Sequence, residues 1–136
     1  MAAPSLARFD QLYELGEAAG LGPAAAWGYA VLAWWGEHYD IPAPRISSGH
    51  RDASRQAMLR AAWDAWTRAG RRGPAPYGIV VRPALSSAHT RREAFDLDAP
   101  PEVLAIYGAW APVIGLRWGG RFNDPDPVHF DLGAHV

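Results

Sequence analysis

The run from Ala24 to Trp35 carries no charged residue over about 12 positions, and any fold this chain adopts has to bury it. A helix that spans a bilayer needs about 20 apolar residues, so the run is too short to cross a membrane and reads as the interior of a buried helix. Pro23 suits the first turn of that helix, and Pro42 and Pro44 force it to stop near His38 to Asp40. A helix that is apolar on most sides needs partners. Ser5 can cap one, a helix running to about Gly20 with Leu6, Phe9, Leu12, Tyr13 and Leu15 at near-helical spacing.

The remaining sequence predicts one more long helix and then short extended pieces. Arg45 to Gly49 reads as a strand, and Asp52 or Ser54 caps an Ala-rich helix ending around Gly70. Gly73 to Gly78 is a Pro/Gly-rich loop. Ile79 to Val81, Ala84 to Ala88, Ala94 to Asp98, Leu116 to Gly119 and His129 to Leu132 are strand candidates, with a helix over Pro101 to Val113. Helices grouped before strands, with hairpin-scale spacing among the strands, predict an α+β domain with a largely antiparallel sheet. All 136 residues fit one such domain, with 1–44 as its helical part and 45–136 as its core around the motifs below. Trp27, Trp34, Trp35, Trp63, Trp66 and Trp110 fall on predicted helices among Ala and Leu, which points to packing rather than sugar binding.

Composition removes several classes of function. There is no cysteine, so disulfide scaffolds, thiol nucleophiles and Cys-type zinc fingers are excluded, and any metal must sit on nitrogen and oxygen ligands. The formal net charge is -1 with no long basic block, which argues against a nucleic-acid partner. The first ten residues show no basic stretch followed by an apolar core, so no secretory signal is expected.

Two segments concentrate the chemistry: Ser86 to Leu97, holding His89 and Asp96, and Asp126-Pro127-Val128-His129. Two imidazoles, a carboxylate and a further acid suit a zinc site with one position left for water. His89 and Asp96 are an odd number of residues apart, so on one continuous strand they would face opposite ways. Thr90 to Glu93 must therefore turn, and a hairpin between a strand closing at His89 and a returning strand with Asp96 would bring both to one side. Asp96 then lies on the face opposite Phe95 and Leu97. Asp126 followed by Pro127 signals a turn that folds Asp126 toward His129, where a general base belongs; Asp124 is a rival whose offset from His129 fits less well.

The pattern Ser87-x-His89-x-x-x-x-Ala94-x-Asp96 resembles the first metal motif of the zinc peptidases related to D-alanyl-D-alanine carboxypeptidases and L-alanyl-D-glutamate endopeptidases. Asp126-x-x-His129 resembles their second motif. Ser48-Gly49-His50-Arg51 with Arg55-Gln56, and Leu116-Arg117-Trp118-Gly119-Gly120, are similar to two further segments of that family, so the likeness spans roughly residues 45 to 133. Arg92 stands where the family commonly has a glycine, and His50 where it often has an aromatic residue.

The resemblance implies that His89, Asp96 and His129 bind zinc, that Asp126 is the catalytic acid/base, and that Arg51 steadies the substrate or the oxyanion. It implies substrate contacts from Ser87, while Trp118, before two glycines, is expected to border the groove. The substrate implied is a peptidoglycan stem peptide, cut at an L-Ala to D-Glu type bond, by a monomer released at phage lysis or carried in a virion. A D,D-carboxypeptidase is the alternative within the class, and a non-catalytic zinc-containing binding module the alternative outside it. His38 and His135 are expected to face solvent.

Overall fold

The computed structural model describes residues 4–50, 53–79, 82–83 and 89–133. The first helix, α1 (Leu6–Ala18), starts where the sequence predicts: the Ser5 hydroxyl accepts the Arg8 backbone N–H at 3.2 Å. It turns through Gly20 into α2 (Pro23–His38), with proline at the first position. The two helices pack closely because Gly16 presents no side chain; a Cβ there would stand 3.0 Å from Ala26. That contact, with Leu12, decides which side of α1 is inside. Leu6 and Leu15, expected on the packed face, are exposed instead.

A four-stranded sheet follows, with β1 (Arg45–Ser48), β2 (Ala94–Asp98), β3 (Arg117–Trp118) and β4 (His129–Asp131) in the order β1-β2-β4-β3. Every strand pairing among the described residues is antiparallel, so the α+β class with an antiparallel sheet is what the chain adopts. Between the strands lie α3 (Ala53–Arg68) and α4 (Pro101–Trp110). The predicted helix to Val113 tightens after Trp110 into a 3-10 turn over Ala111–Ile114 and closes on Gly115 at φ 81°. Pro112 has no amide hydrogen to continue an α-helical ladder.

One face of the sheet is the core. Phe95 of β2 stacks on Phe130 of β4 with ring centroids 5.7 Å apart, and Tyr29 of α2 meets Phe95 edge-on at 5.9 Å. Tyr29 also donates its hydroxyl to the Pro44 carbonyl at 2.8 Å, joining α2 to the entry of β1. Leu97, Leu104, Tyr107 and Leu116 complete this layer, all buried. Truncating either phenylalanine to alanine would cost about 3–5 kcal/mol by the usual large-to-small scale. The strands therefore hold a fixed register, which matters because their other face carries the polar residues.

The tryptophans divide. Trp34, Trp35 and Trp110 are half-buried around the core, whereas Trp27 is 47% exposed, against expectation. Trp63 and Trp66 belong to a separate cluster on α3, with the Arg71 guanidinium 5.3 and 5.5 Å from their rings. The strand candidates at 80–81 and 84–88 lie outside the described residues, and Ile79 is in no strand.

Candidate metal centre and cleft

Strand pairing delivers two of the three expected ligands. Asp96 of β2 sits directly opposite His129 of β4, and alternation puts both on the face away from Phe95 and Phe130. His89 arrives differently. The expected hairpin is not how it meets Asp96, because both edges of β2 at that position are already taken, by Ser48 of β1 and His129 of β4. His89 instead opens a turn, closed by the Arg92 N–H to the His89 carbonyl at 3.3 Å, and its ring comes over the sheet from outside.

That turn explains the residue at position 92. Arg92 has φ 64°, the left-handed conformation a glycine adopts most cheaply. Its own contacts hold it there: the Arg92 carbonyl accepts the Gly22 N–H at 2.9 Å, and its guanidinium donates to the Gly20 carbonyl at 3.1 Å. His50 lies beneath the same turn, with Nδ1 3.3 Å from the His89 carbonyl and its backbone N–H on the Ala19 carbonyl. Its position is one of packing under His89, outside the cleft.

The three ligand atoms form a nearly equilateral triangle. His89 Nε2 is 3.2 Å from His129 Nδ1 and 3.3 Å from Asp96 Oδ1, and His129 Nδ1 is 3.3 Å from the same oxygen. Tetrahedral ligands at about 2.0–2.1 Å from a zinc ion would stand about 3.3 Å apart. The second nitrogen of each ring fixes what the first can offer. His89 Nδ1 lies 2.9 Å from the Gly49 carbonyl, and His129 Nε2 lies 2.7 Å from Asp131 Oδ2, so both must carry hydrogen and donate. Two imidazole lone pairs and a carboxylate oxygen then point at one spot. Three acceptors in mutual contact require a cation or a proton between them, so the donor set fits a bound metal.

Protons supply that positive charge when no metal does. Burial works against an imidazolium at His129, but the hydrogen bonds with Asp131 and Asp96 outweigh it and push the ring up to about 9. Burial likewise opposes ionisation of Asp96, and the hydrogen bonds from His129 and His89 overcome it, holding the carboxyl well below the usual range. His89, the third member of the group, is only 4% exposed.

Asp131 is the residue the sequence reading missed. It is buried, and Arg117 grips it through Nε and Nη2 at 2.7 and 2.9 Å while the Gly133 N–H adds a third donor at 2.7 Å. The signal was available: positions 129 and 131 of a strand share a face. The Gly49 carbonyl, by contrast, leaves no mark in side-chain identity.

Asp126 precedes His129 in a turn closed by the His129 N–H to the Asp126 carbonyl at 3.0 Å. Its own N–H donates to the Gly119 carbonyl at 2.8 Å, and a side chain on Gly119 would collide with the Asp126 carbonyl. Asp126 lines a cleft of about 530 Å³ together with Asp96, His89 and His129, and its Oδ1 is withdrawn from solvent. Asp124 is exposed and lines a neighbouring depression with Trp63 and Asp64 instead. The far side of the cleft consists of α3, through Arg55, Gln56 and Leu59, and of Tyr77, Gly78, Ile79, Arg82 and Pro83.

The remaining expected site residues separate. Arg51 and Ser87 lie outside the described residues. Trp118 does not line the cleft: its ring occupies the space left by Gly108 and Gly120, and its Nε1 donates to the Pro127 carbonyl at 2.7 Å. It supports the Asp126 turn from behind. His38 is exposed and hydrogen-bonded to the Trp34 carbonyl, remote from the site as expected, while His135 is not described.

Among solved structures, the chain is similar to the L-Ala D-Glu endopeptidase ChiX of Serratia marcescens, with a TM-score of 0.50 and 19% sequence identity, over 93% of this chain and 87% of that one. At that identity the likeness is one of fold. No protein-family profile and no curated protein matches the sequence. No helix among the described residues is long and apolar enough to cross a membrane.

Proposed function

We propose that the chain is a zinc-dependent peptidoglycan peptidase that cuts the bond between L-Ala and D-Glu in wall stem peptides. The observation that carries this reading is the convergence of His89 Nε2, His129 Nδ1 and Asp96 Oδ1 at 3.2 to 3.3 Å beside the cleft, each imidazole oriented by an acceptor behind it. The fold shared with an L-Ala D-Glu endopeptidase supports the choice of bond.

His89, Asp96 and His129 would hold the ion. Zinc in such a site polarises a carbonyl and lowers the pKa of water toward about 7. Asp126 takes the proton from the attacking water and returns it to the leaving amine, a role supported by its place in the turn that leads into His129. The turn, Gly119 and Trp118 hold the backbone at Asp126 and Pro127 in place. Arg51 and Ser87 complete the proposal as substrate contacts, and release at phage lysis or from a virion would bring the protein to the wall.

The test is mass spectrometry of defined muropeptides incubated with the zinc-loaded protein, alongside Asp126→Ala. Fragments ending in L-Ala and beginning with D-Glu are expected, with turnover lost by roughly 10²–10⁴-fold in the variant while one zinc per chain remains. Loss of a terminal D-Ala instead would mean a carboxypeptidase. Zinc binding without hydrolysis would mean a binding module.

A further inference from the structure

We propose that the depression beside the cleft, lined by Trp63, Arg71 and Asp124, receives the third residue of the stem peptide. It selects stems in which that residue is a diamino-dicarboxylic acid, with an amine and a carboxylate on one terminal carbon, over stems with a simple diamine. This rests on the peptidase reading of the metal face and names a part of the substrate that lies beyond the scissile bond.

Position is the first observation. Arg82 lines both the cleft and the depression, and the depression, at about 550 Å³, has nearly the volume of the cleft. Asp124 and Pro125 line the depression, while Asp126, two residues on from Asp124, lines the cleft. Two extended residues span at most about 7 Å, so the depression lies next to the proposed base. That base returns its proton to the leaving amine, which puts the amine half of the peptide on this side. In a wall stem the residue after D-Glu is the diamino acid, and it is the next group to arrive.

Chemistry is the second. Arg71 lies in the turn after α3, where its backbone N–H donates to the Trp66 carbonyl at 2.9 Å and the Trp66 indole N–H donates to the Arg72 carbonyl at 3.3 Å. The Arg71 guanidinium is 5.3 Å from the Trp63 ring and 5.5 Å from the Trp66 ring. A guanidinium held on indole faces keeps its charge and its planar set of donors, which match a carboxylate. Asp64 has its charge met within the protein: Arg82 bonds it at 3.0 and 3.2 Å, and Arg60 stands 3.6 Å away. Asp124 is exposed and complements an ammonium group. Trp63 and Pro125 add apolar lining for the methylene stem that carries such a head group.

Calorimetry on the zinc-loaded Asp126→Ala protein, which leaves the peptide uncut, tests the assignment. The probes are L-Ala-γ-D-Glu tripeptides ending in meso-2,6-diaminopimelate or in L-Lys, which differ by the terminal carboxylate. The first is expected to bind at least about tenfold more tightly. Adding Arg71→Ala or Arg71→Gln should bring the two within about twofold. Asp124→Asn should weaken both peptides alike, since both carry the amine, and Arg68→Ala, which removes the same charge outside the depression, should leave the preference intact. The assignment is overturned if neither peptide binds, if the two bind equally, or if both Arg71 variants keep the preference. Should the preference depend on Arg71 while the protein with Asp126 intact cuts neither peptide, the peptidase reading falls and the subsite stands.

Discussion

The two walls of the cleft are built on opposite principles. The sheet wall is an extension of the core: Asp96 and His129 occupy the back of strands whose fronts bury Phe95 and Phe130, so moving either candidate ligand means shifting a packed register. The α3 wall holds itself together at the surface, through arginines laid on Trp63, Trp66 and Tyr77 and through the Arg82–Asp64 pair. Charge divides the same way. The segment 53–82 carries a formal net of +5, which leaves −6 for the rest of a chain whose total is −1. A near-neutral sum thus hides an uneven distribution of charge along the chain, with the basic excess concentrated in the segment that includes α3.

If rigidity of the sheet wall is what fixes the metal, loosening its outer support should be felt at the ion. Asp131→Asn keeps the shape but weakens the hold on His129 Nε2 and on Arg117, and zinc affinity should drop by roughly 10–100-fold in a competition titration with a chromogenic chelator. An unchanged affinity would mean that Asp131 serves folding alone. Protons sharpen the comparison next. In the metal-free protein burial opposes the imidazolium, but the hydrogen bonds with Asp131 and Asp96 push His129 up to about 9, so the stability it contributes is complete below about pH 6.5 and is lost as pH rises through 9. Zinc must displace that proton, so its affinity should move the other way, rising about tenfold per pH unit up to about 9. Without zinc the melting temperature should therefore fall between about pH 6.5 and 9, whereas in excess zinc the two proton linkages cancel and it should stay nearly level, so the gap between the curves widens with pH; a constant gap would remove His129 from the ligand set.

Smaller effects probe the joints. Trp118→Phe keeps a ring between Gly108 and Gly120 and deletes the donor to the Pro127 carbonyl, at a cost of about 1 kcal/mol. Because the loss falls on the Asp126 turn, kcat should drop severalfold with zinc affinity unchanged. Arg92→Gly should be the mildest change: relief at φ 64° opposes the lost contact with Gly20 and the freer unfolded chain, leaving stability within about 1 kcal/mol. A larger loss would show that the guanidinium, rather than the backbone, holds the turn.

Local chemistry made much of this visible before any coordinates. Ser5, Pro23 and the apolar run fixed two helices, the alternation around Asp96 chose its face, and Asp-Pro at 126–127 announced the turn into His129. What escaped depends on which strands become neighbours. Local sequence suggests a hairpin between His89 and β2, because nothing local says that β1 and β4 fill both edges of that strand. The glycines beside Trp118 read as room for a ligand at the groove, whereas the room is taken by the indole itself. Asp131 was legible in principle from its i+2 spacing, while the role of α3 as a wall follows only from how the chain returns past it.

Gly49 touches two distant parts of the molecule at once. Its carbonyl receives the His89 N–H, and its α-carbon lies so near the Ala19 carbonyl that no side chain could be accommodated between them. The corner where α1 gives way to α2 is thereby mechanically wired to a ligand, with the Gly22 and His50 amides as further strands of the same cable. Pulling the ion out should make those amides exchange faster with solvent, so that hydrogen exchange at the helical corner becomes a gauge of occupancy at the opposite end of the wire.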